Sequence, residues 1–347
     1  METVFNDKHF LHVSAGELIS GGYVPAFEKP ERAELILAKV REAALGGISA
    51  PAEHDLAGIL RVHDAGMVEL LRTGAAEWKA AGHSGPAGPF TWATRGMRED
   101  HIPLSLEGRL SYYCFDAGTP LTRTSWLAIK GSADTALSAA ERIIGGADSV
   151  FALCRPPGHH AGSDHYGGYC FLNNAAIAAR KLSDSGRRRV AVLDVDYHHG
   201  NGTQQIFYDR EDVLVVNLHA DPDYEYPFRL GYADERGAGP GIGFNLNLPL
   251  PAGTDWRSYE AALRHGLARI AAFAPDALVV SLGVDTYKGD PISNFKLDHD
   301  DFSRLGEQIG GLGKPTLFVM EGGYAVAEIG LNTVNVLAGF LAAGSAG

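Results

Sequence analysis

Residues 190–202 read Val190-Ala-Val-Leu-Asp-Val-Asp-Tyr-His-His-Gly-Asn-Gly202, an apolar run that breaks abruptly into two aspartates and two histidines. The aliphatic half, 190–195, follows three arginines and precedes a glycine-rich turn, the pattern of a strand buried on both faces. Side chains alternate along a strand, so Asp194, Asp196 and His198 fall on one side. A carboxylate and an imidazole two residues apart, at the exposed end of a buried strand, form half of a metal site. The competing reading makes Asp194 a helix cap and the histidines solvated loop residues. It leaves buried carboxylates without partners at the end of an apolar strand, which is costly.

The same grammar repeats on both sides. Upstream, a short strand at 149–154 runs into Arg155-Pro-Pro-Gly-His159-His160-Ala, and Gly167-Gly-Tyr-Cys-Phe171 leads through Asn173-Asn174 into a helix at 175–182. Downstream, strands are expected at 213–219, 244–248 (with Pro249-Leu-Pro as its exit), 277–285 and 314–320, the last ending in Glu321-Gly-Gly-Tyr324. Helical patterns fill 124–144, 259–273 and 298–312, and 220–243 reads as a loop. Nearer the N-terminus, 30–45 has helical composition with proline at its start and Gly46-Gly47 at its stop. Short helices are expected at 56–60 and 67–71, with His63 and Asp64 between them as surface or capping groups. Residues 83–103 mix glycine, proline and large aromatics without period, so they form a long loop. Phe90 and Trp92 in it need cover from a partner subunit, a pocket rim or the loop's own core. Alternating helix and strand from residue 124 predicts a single domain over 1–347, an α/β fold with one open, mostly parallel sheet and helices on both faces.

Bulk properties narrow the function. A formal net charge of −12 argues against a nucleic-acid partner, because phosphate binding draws on clustered Lys and Arg. It is compatible with a cationic substrate. Three cysteines without CxxC spacing suggest neither a disulfide framework nor a cysteine zinc site, and point to a cytoplasmic protein. No stretch reaches the roughly 18 apolar residues of a membrane span, and no signal peptide is evident.

In such a fold, ligands gather beyond the carboxyl ends of the strands. Those ends carry, in turn, His159-His160, then Asp194, Asp196, His198 and His199, then His219, Asp285 and Tyr324. Asp196, His198 and Asp285 make a three-ligand set with room for water, as catalytic zinc requires.

Five ordered strings, Arg-Pro-Pro-Gly-His-His-Ala, Gly-Tyr-Cys-Phe-Leu-Asn-Asn, Asp-Val-Asp-Tyr-His-His-Gly-Asn-Gly-Thr, Leu-Gly-Val-Asp-Thr-Tyr-Lys-Gly-Asp-Pro and Glu-Gly-Gly-Tyr, together resemble the zinc-dependent histone deacetylase family. His-Ala-Asp-Pro at 219–222, Leu-Gly-Tyr-Ala-Asp-Glu at 230–235 and the long loop before Pro103 look like the bacterial acetylpolyamine amidohydrolases within it. The resemblance covers most of the chain from about residue 105 onward. It implies an arginase/deacetylase-like sheet and one Zn²⁺ per chain on Asp196, His198 and Asp285. By the same resemblance, His160 is general base and acid, His159 assists electrostatically, and Asp194 and Asn201 hold their second ring nitrogens. A neutral Asn201 leaves His160 less basic than His159. Tyr324 stabilises the oxyanion, while Tyr169, Tyr226 and Gly168 line the slot for the acyl-bearing chain. K⁺ beside the zinc is implied on Asp194, Asp196, His198 and Leu218, and a second K⁺ near Phe207, Arg210, Val213 and Phe244. Loop 83–103 is implied to pack across a homodimer and narrow the entrance, with Glu107 meeting a distal ammonium and Asp116 adding field at the rim.

Arginase-like binuclear hydrolases need further carboxylates, yet Gly200 and Tyr287 stand where those would lie. A non-catalytic reader of acetylated chains would not need Tyr324 and both histidines. The remaining rival is a protein or peptide acetyl-lysine deacetylase, which shares the chemistry and differs only in access. Zinc and ferrous iron both accept this ligand set.

Overall fold

A computed structural model describes residues 1–14, 16–19 and 21–344. Its chain runs β1 (Glu2–Phe5), β2 (Glu17–Ile19), β3 (Gly22–Val24), α1 (Glu31–Glu42), β4 (Ile48–Ser49), α2 (Ala57–Leu60), α3 (Ala65–Ala80), α4 (Leu106–Tyr113), α5 (Ser125–Ile144) and β5 (Ser149–Leu153). It continues α6 (Asn174–Asp184), β6 (Val190–Asp194), α7 (Asn201–Phe207), β7 (Val213–Ala220), β8 (Asn245–Leu250), α8 (Trp256–Phe273), β9 (Ala277–Leu282), α9 (His299–Gly310), β10 (Thr316–Met320) and α10 (Ile329–Gly344). Eight strands form one sheet in the order β4-β1-β5-β10-β9-β6-β7-β8, with every pairing parallel; β2 and β3 make a separate antiparallel hairpin.

The two-residue period of the strands decides the layering. Val150, Ala152, Val190, Val192, Val279 and Val319 face a core closed by α2 to α6. Phe151, Leu193, Val216, Leu278, Val280 and Phe318 face a second core under α1, α8, α9 and α10. Each aliphatic side chain buried there contributes about 1.5–3 kcal/mol. A strand wetted on neither side needs no alternation of polarity, so its sequence reads as a continuous apolar run.

Several elements extend or depart from the sequence pattern. Strand β8 continues through Pro249, paired with His219, where a loop exit was expected; it is an edge strand, where proline can be tolerated. Helix α3 is three turns longer than 67–71, started by Asp64, whose Oδ1 accepts from the Met67 amide at 3.0 Å. His63, expected at the surface or a cap, is 3% exposed: Nδ1 meets the Gly162 carbonyl at 2.8 Å and Nε2 accepts from the Asn173 amide at 2.9 Å. Residues 83–103 are irregular, tied down where Ala87 bridges Leu121, and leave Phe90 77% exposed.

Candidate active site

Parallel strands deliver their carboxyl ends to one edge, and all four chemistry-bearing exits meet there. Asp196 and His198 follow β6, Asp285 follows β9, His159 and His160 follow β5, and Tyr324 follows β10. One ligand atom from each of Asp196, His198 and Asp285 lies within 4.8 Å of the other two. The Nδ1 of His198 is 3.1 Å from Asp285 Oδ2 and 3.3 Å from Asp196 Oδ1.

Electrostatics says what this trio is built for. Burial and the adjacent Asp196 carboxylate push Asp285 up to about 7. Burial pushes Asp196 the same way, but His159 and His198 overrule it and hold that carboxyl far below the usual range. Two buried carboxylates this close call for a compensating positive charge, and this N,O,O set is of a kind that could hold a divalent cation to supply it. The approach is kept open by Gly322, where a Cβ would stand 2.5 Å from Asp196 Oδ2 and 2.6 Å from Asp285 Oδ2.

The histidine pair is polarised in opposite senses. His159 Nδ1 is 3.0 Å from Asp194 Oδ2, and His160 Nδ1 is 2.7 Å from Asn201 Oδ1. Burial disfavours charge on His159, yet Asp196 and Asp194 outweigh it and raise the ring to about 10. Burial, then the neighbouring His159 and His198, drive His160 well down, so it is a neutral base at ordinary pH.

Backbone clasps bind the exits to each other. Glu321 Oε2 accepts from the amides of Gly158 (2.7 Å) and His159 (3.1 Å). Asp290 Oδ2 accepts from those of Tyr324 (2.7 Å) and Ala325 (3.1 Å). Arg32 donates to the carbonyls of Gly323 and Glu321, both at 2.6 Å, and lies 4.7 Å over the Tyr324 ring. Burial keeps the Tyr324 phenol protonated, as a donor must be.

Above this floor opens a cavity of about 520 Å³, lined among others by His160, Gly168, Tyr169, His198, Tyr226 and Tyr324. The Tyr226 ring stands edge-on 5.0 Å from His160, and its hydroxyl donates to Asp116 Oδ2 at 2.8 Å. Tyr169 takes a left-handed backbone (φ +65°), its amide on Thr119 Oγ1 at 2.9 Å and its hydroxyl on Glu17. Both hydroxyls are therefore occupied by wall carboxylates. Asp116 lines the cavity as expected of a rim group, but Glu107 does not. Its carboxylate faces His83, 3.4 Å away, outside the cavity. Glu107 thus stands off the cavity lining in the single chain.

Residues expected around K⁺ fall into two places. Asp194, Asp196, His198 and Leu218 adjoin at the ends of β6 and β7, where the buried Asn217 Oδ1 has no hydrogen-bond partner. A Cβ at Gly200 would stand 2.3 Å from Asp194 Oδ2 and 3.0 Å from Asn217 Oδ1, so glycine leaves a cradle of oxygens suited to a hard monovalent cation. Phe207, Arg210, Val213 and Phe244 flank the turn from α7 to β7, where the Phe207 carbonyl already accepts from the Arg210 amide at 3.1 Å and the Phe244 carbonyl from Val215 at 2.9 Å.

Sequence reasoning assigned no role to Glu17, Glu28, Arg32, Asn217, Glu225, Asp290 or Glu321. Asp290 and Glu321 lay inside quoted motifs; the others carried no local signal.

The model of the histone deacetylase domain matches residues 26–340. The chain belongs to the histone deacetylase family. Among its relatives, acetylpolyamine amidohydrolase 2 of Pseudomonas aeruginosa is 55% identical over 340 residues, covering 98% of both chains. Acetylpolyamine amidohydrolase of Mycoplana ramosa is 49% identical over 339 residues, 98% of this chain and 99% of that one. A crystal structure of acetylpolyamine aminohydrolase from Burkholderia pseudomallei superposes with a TM-score of 0.95 at 40% identity, covering 99% of each chain. The likeness to these histone deacetylase relatives thus includes the N-terminal region that the sequence motifs left unread.

Proposed function

We propose that this protein hydrolyses the acetyl amide of acetylated diamines and polyamines. The observation that carries the reading is the cavity: His160, His198 and Tyr324 line its floor, and among the described residues carboxylates but no Lys or Arg line it. Such a channel favours a slim cationic chain. The acetylpolyamine amidohydrolase names of the relatives support the same substrate class.

Asp196, His198 and Asp285 would hold a divalent cation, zinc by family, which when bound polarises the amide carbonyl and acidifies water. His160, neutral and held by Asn201, accepts the proton of the attacking water and returns it to the departing amine. His159, kept cationic by Asp194, stabilises the negative charge that develops, and the Tyr324 hydroxyl donates to the oxyanion. The Tyr169 and Tyr226 rings confine the methylene chain. K⁺ on Asp194, Asp196, His198 and Leu218, with Asn217 added, would support the loop after β6; a second K⁺ would sit by Phe207, Arg210, Val213 and Phe244. A cytoplasmic setting suits three free, buried cysteines. No helix among the described residues is long and apolar enough to cross a membrane.

A second copy would cover residues 83–103, where Phe90 is 77% and the adjoining Leu104 94% exposed, and would narrow the entrance. Glu107 could then reach a substrate only in that assembly. The test is kcat/KM on acetylputrescine, acetylcadaverine, acetylspermidine and an acetyl-lysine peptide, with and without chelator. Acetylated amines should lead and chelation should abolish turnover. A faster histone-tail peptide, or turnover indifferent to chelation, refutes the reading.

A further inference from the structure

The carboxylates around the cavity differ in what they are already bonded to. Glu17 gives one oxygen to the Phe27 amide at 2.7 Å and the other to the Tyr169 hydroxyl. Asp116 accepts from the Gly118 amide (3.0 Å) and the Thr119 hydroxyl (3.1 Å) on Oδ1, and from the Gly168 amide (2.6 Å) and the Tyr226 hydroxyl (2.8 Å) on Oδ2. All four oxygens accept bonds that shape the wall: two on each Asp116 oxygen, and one on each oxygen of Glu17, which is only 4% exposed. These groups add negative field but offer an incoming donor little.

Glu225 is built differently. It stands one residue before Tyr226 on the cavity lining, half-buried, and takes part in no salt bridge among the described residues. Its backbone is set by a bond from its amide to Asp221 O (3.1 Å) and one from the Phe228 amide to its carbonyl (3.0 Å). Asn294 Nδ2 donates to Oε1 at 2.7 Å, which limits the side chain to one direction while leaving acceptor capacity. The Asn294 carbonyl is in turn held by the Gly253 amide at 2.9 Å, and Ile292 on the same loop lines the cavity. The Tyr197 hydroxyl is a second neighbour within hydrogen-bonding reach of the Glu225 carboxylate; burial first, and then that contact, push its phenol up.

We infer that Glu225 is the specificity residue that binds the protonated amine on the substrate's tail. This rests on the amidohydrolase reading above and names the group in this chain that enforces it. The shared field of three carboxylates draws a cation into the mouth, but a directional, partly desolvated bond needs an acceptor that is positioned and not saturated. Of the three, Asp116 already accepts four bonds and Glu17 is 4% exposed, whereas Glu225 is half-buried, held in place and keeps open acceptor positions toward the cavity. Because Asn294 already orders the side chain, little freedom is lost when the ammonium docks. The contact lies away from the reacting amide, so it acts on binding rather than on the chemical step.

The test compares three substrates of matched length: acetylcadaverine with its ammonium tail, N-acetylhexylamine with a neutral tail, and N-acetyl-6-aminohexanoate with a carboxylate tail. The wild type, Glu225→Gln, Glu225→Lys and Glu107→Gln are assayed, with melting curves showing that each is folded. For Glu225→Gln, KM for acetylcadaverine should rise about tenfold or more, as loss of a hydrogen bond to a charged group predicts, and KM for the neutral tail should stay put. For Glu225→Lys, the preference should pass to the carboxylate tail. Equal changes for charged and neutral tails, no change for either, or a loss of the cationic preference in Glu107→Gln instead, would each overturn the inference. Failure of the underlying reading shows separately, as a wild type that turns over no acetylated diamine.

Discussion

Tyr324 contributes through one hydroxyl whose placement depends on another residue. Asp290 Oδ2 receives the amides of Tyr324 and Ala325 while Oδ1 receives that of Ile292 at 3.1 Å, so this carboxylate ties Tyr324, the proposed oxyanion donor, to the cavity rim. Removing the hydroxyl in Tyr324→Phe should lower kcat by roughly 10² or more and leave bound metal and melting temperature unchanged. Asp290→Asn should lower kcat by about tenfold in the wild-type background, because a displaced donor loses alignment. In the Tyr324→Phe background it should cost almost nothing more, since the donor it aligns is gone. Additive losses in the double variant would show that Asp290 acts on something other than Tyr324.

Elements are joined beneath the site by a buried ion cluster. Glu28, in the segment between β3 and α1, accepts from Arg155 Nε (2.8 Å) and Nη2 (2.9 Å) and from Arg32 Nη1 (2.9 Å). Burial alone would push the Glu28 carboxyl up, but the Arg155 and Arg32 guanidinia hold it below the usual range. Arg155 begins the loop that carries His159 and His160, and Arg32 on α1 holds the carbonyls of the Tyr324 loop. Glu28→Ala leaves two guanidinia buried without their shared partner, a cost of about 3–5 kcal/mol. Melting by calorimetry should show a drop of several degrees together with lower kcat. A variant as stable as the wild type would mean that the arginines find other acceptors.

At the scale of the whole molecule, buried histidines set the response to acid. His9, His12 and His63 are each depressed to about 4, mainly by burial. Their unfolded rings titrate near 6.5, so between roughly 6.5 and 4 the unfolded chain binds more protons than the fold. Each of these rings therefore lowers stability as pH drops through that window, by up to about 1.4 kcal/mol per pH unit, while Asp285 and Glu321, raised by burial to about 7 and about 8, oppose that fall. His159, raised to about 10, works in the other direction: its contribution is complete below the unfolded value and is lost only as pH rises toward 10. It cannot mask the acid slope. Denaturant midpoints measured from pH 7 to 4 should fall, and His12→Gln should flatten the fall; an unchanged slope would remove His12 from the account.

The sequence alone determined the parallel sheet and the meeting of Asp196, His198, Asp285, the histidine pair and Tyr324 at one edge of it, because each rests on short-range regularity; their proposed roles came from the resemblance. Continuous apolar runs mark strands covered on both faces, and the ends of parallel strands meet at one edge, so residues such as Asp196 and Asp285 could be brought together without coordinates. Only the tertiary structure decided which carboxylates shape the cavity wall and what holds the loops after β5 and β10. Glu28 and Arg155 are 127 positions apart, and Tyr169 and Glu17 are 152 apart. Glutamate and arginine are ordinary surface residues, and nothing in their local sequence reports a partner so distant. Glu107 makes the converse point: the resemblance implied a place beside the substrate, and in the single chain α4 sets it against His83, because where a helix points is settled by packing against other elements.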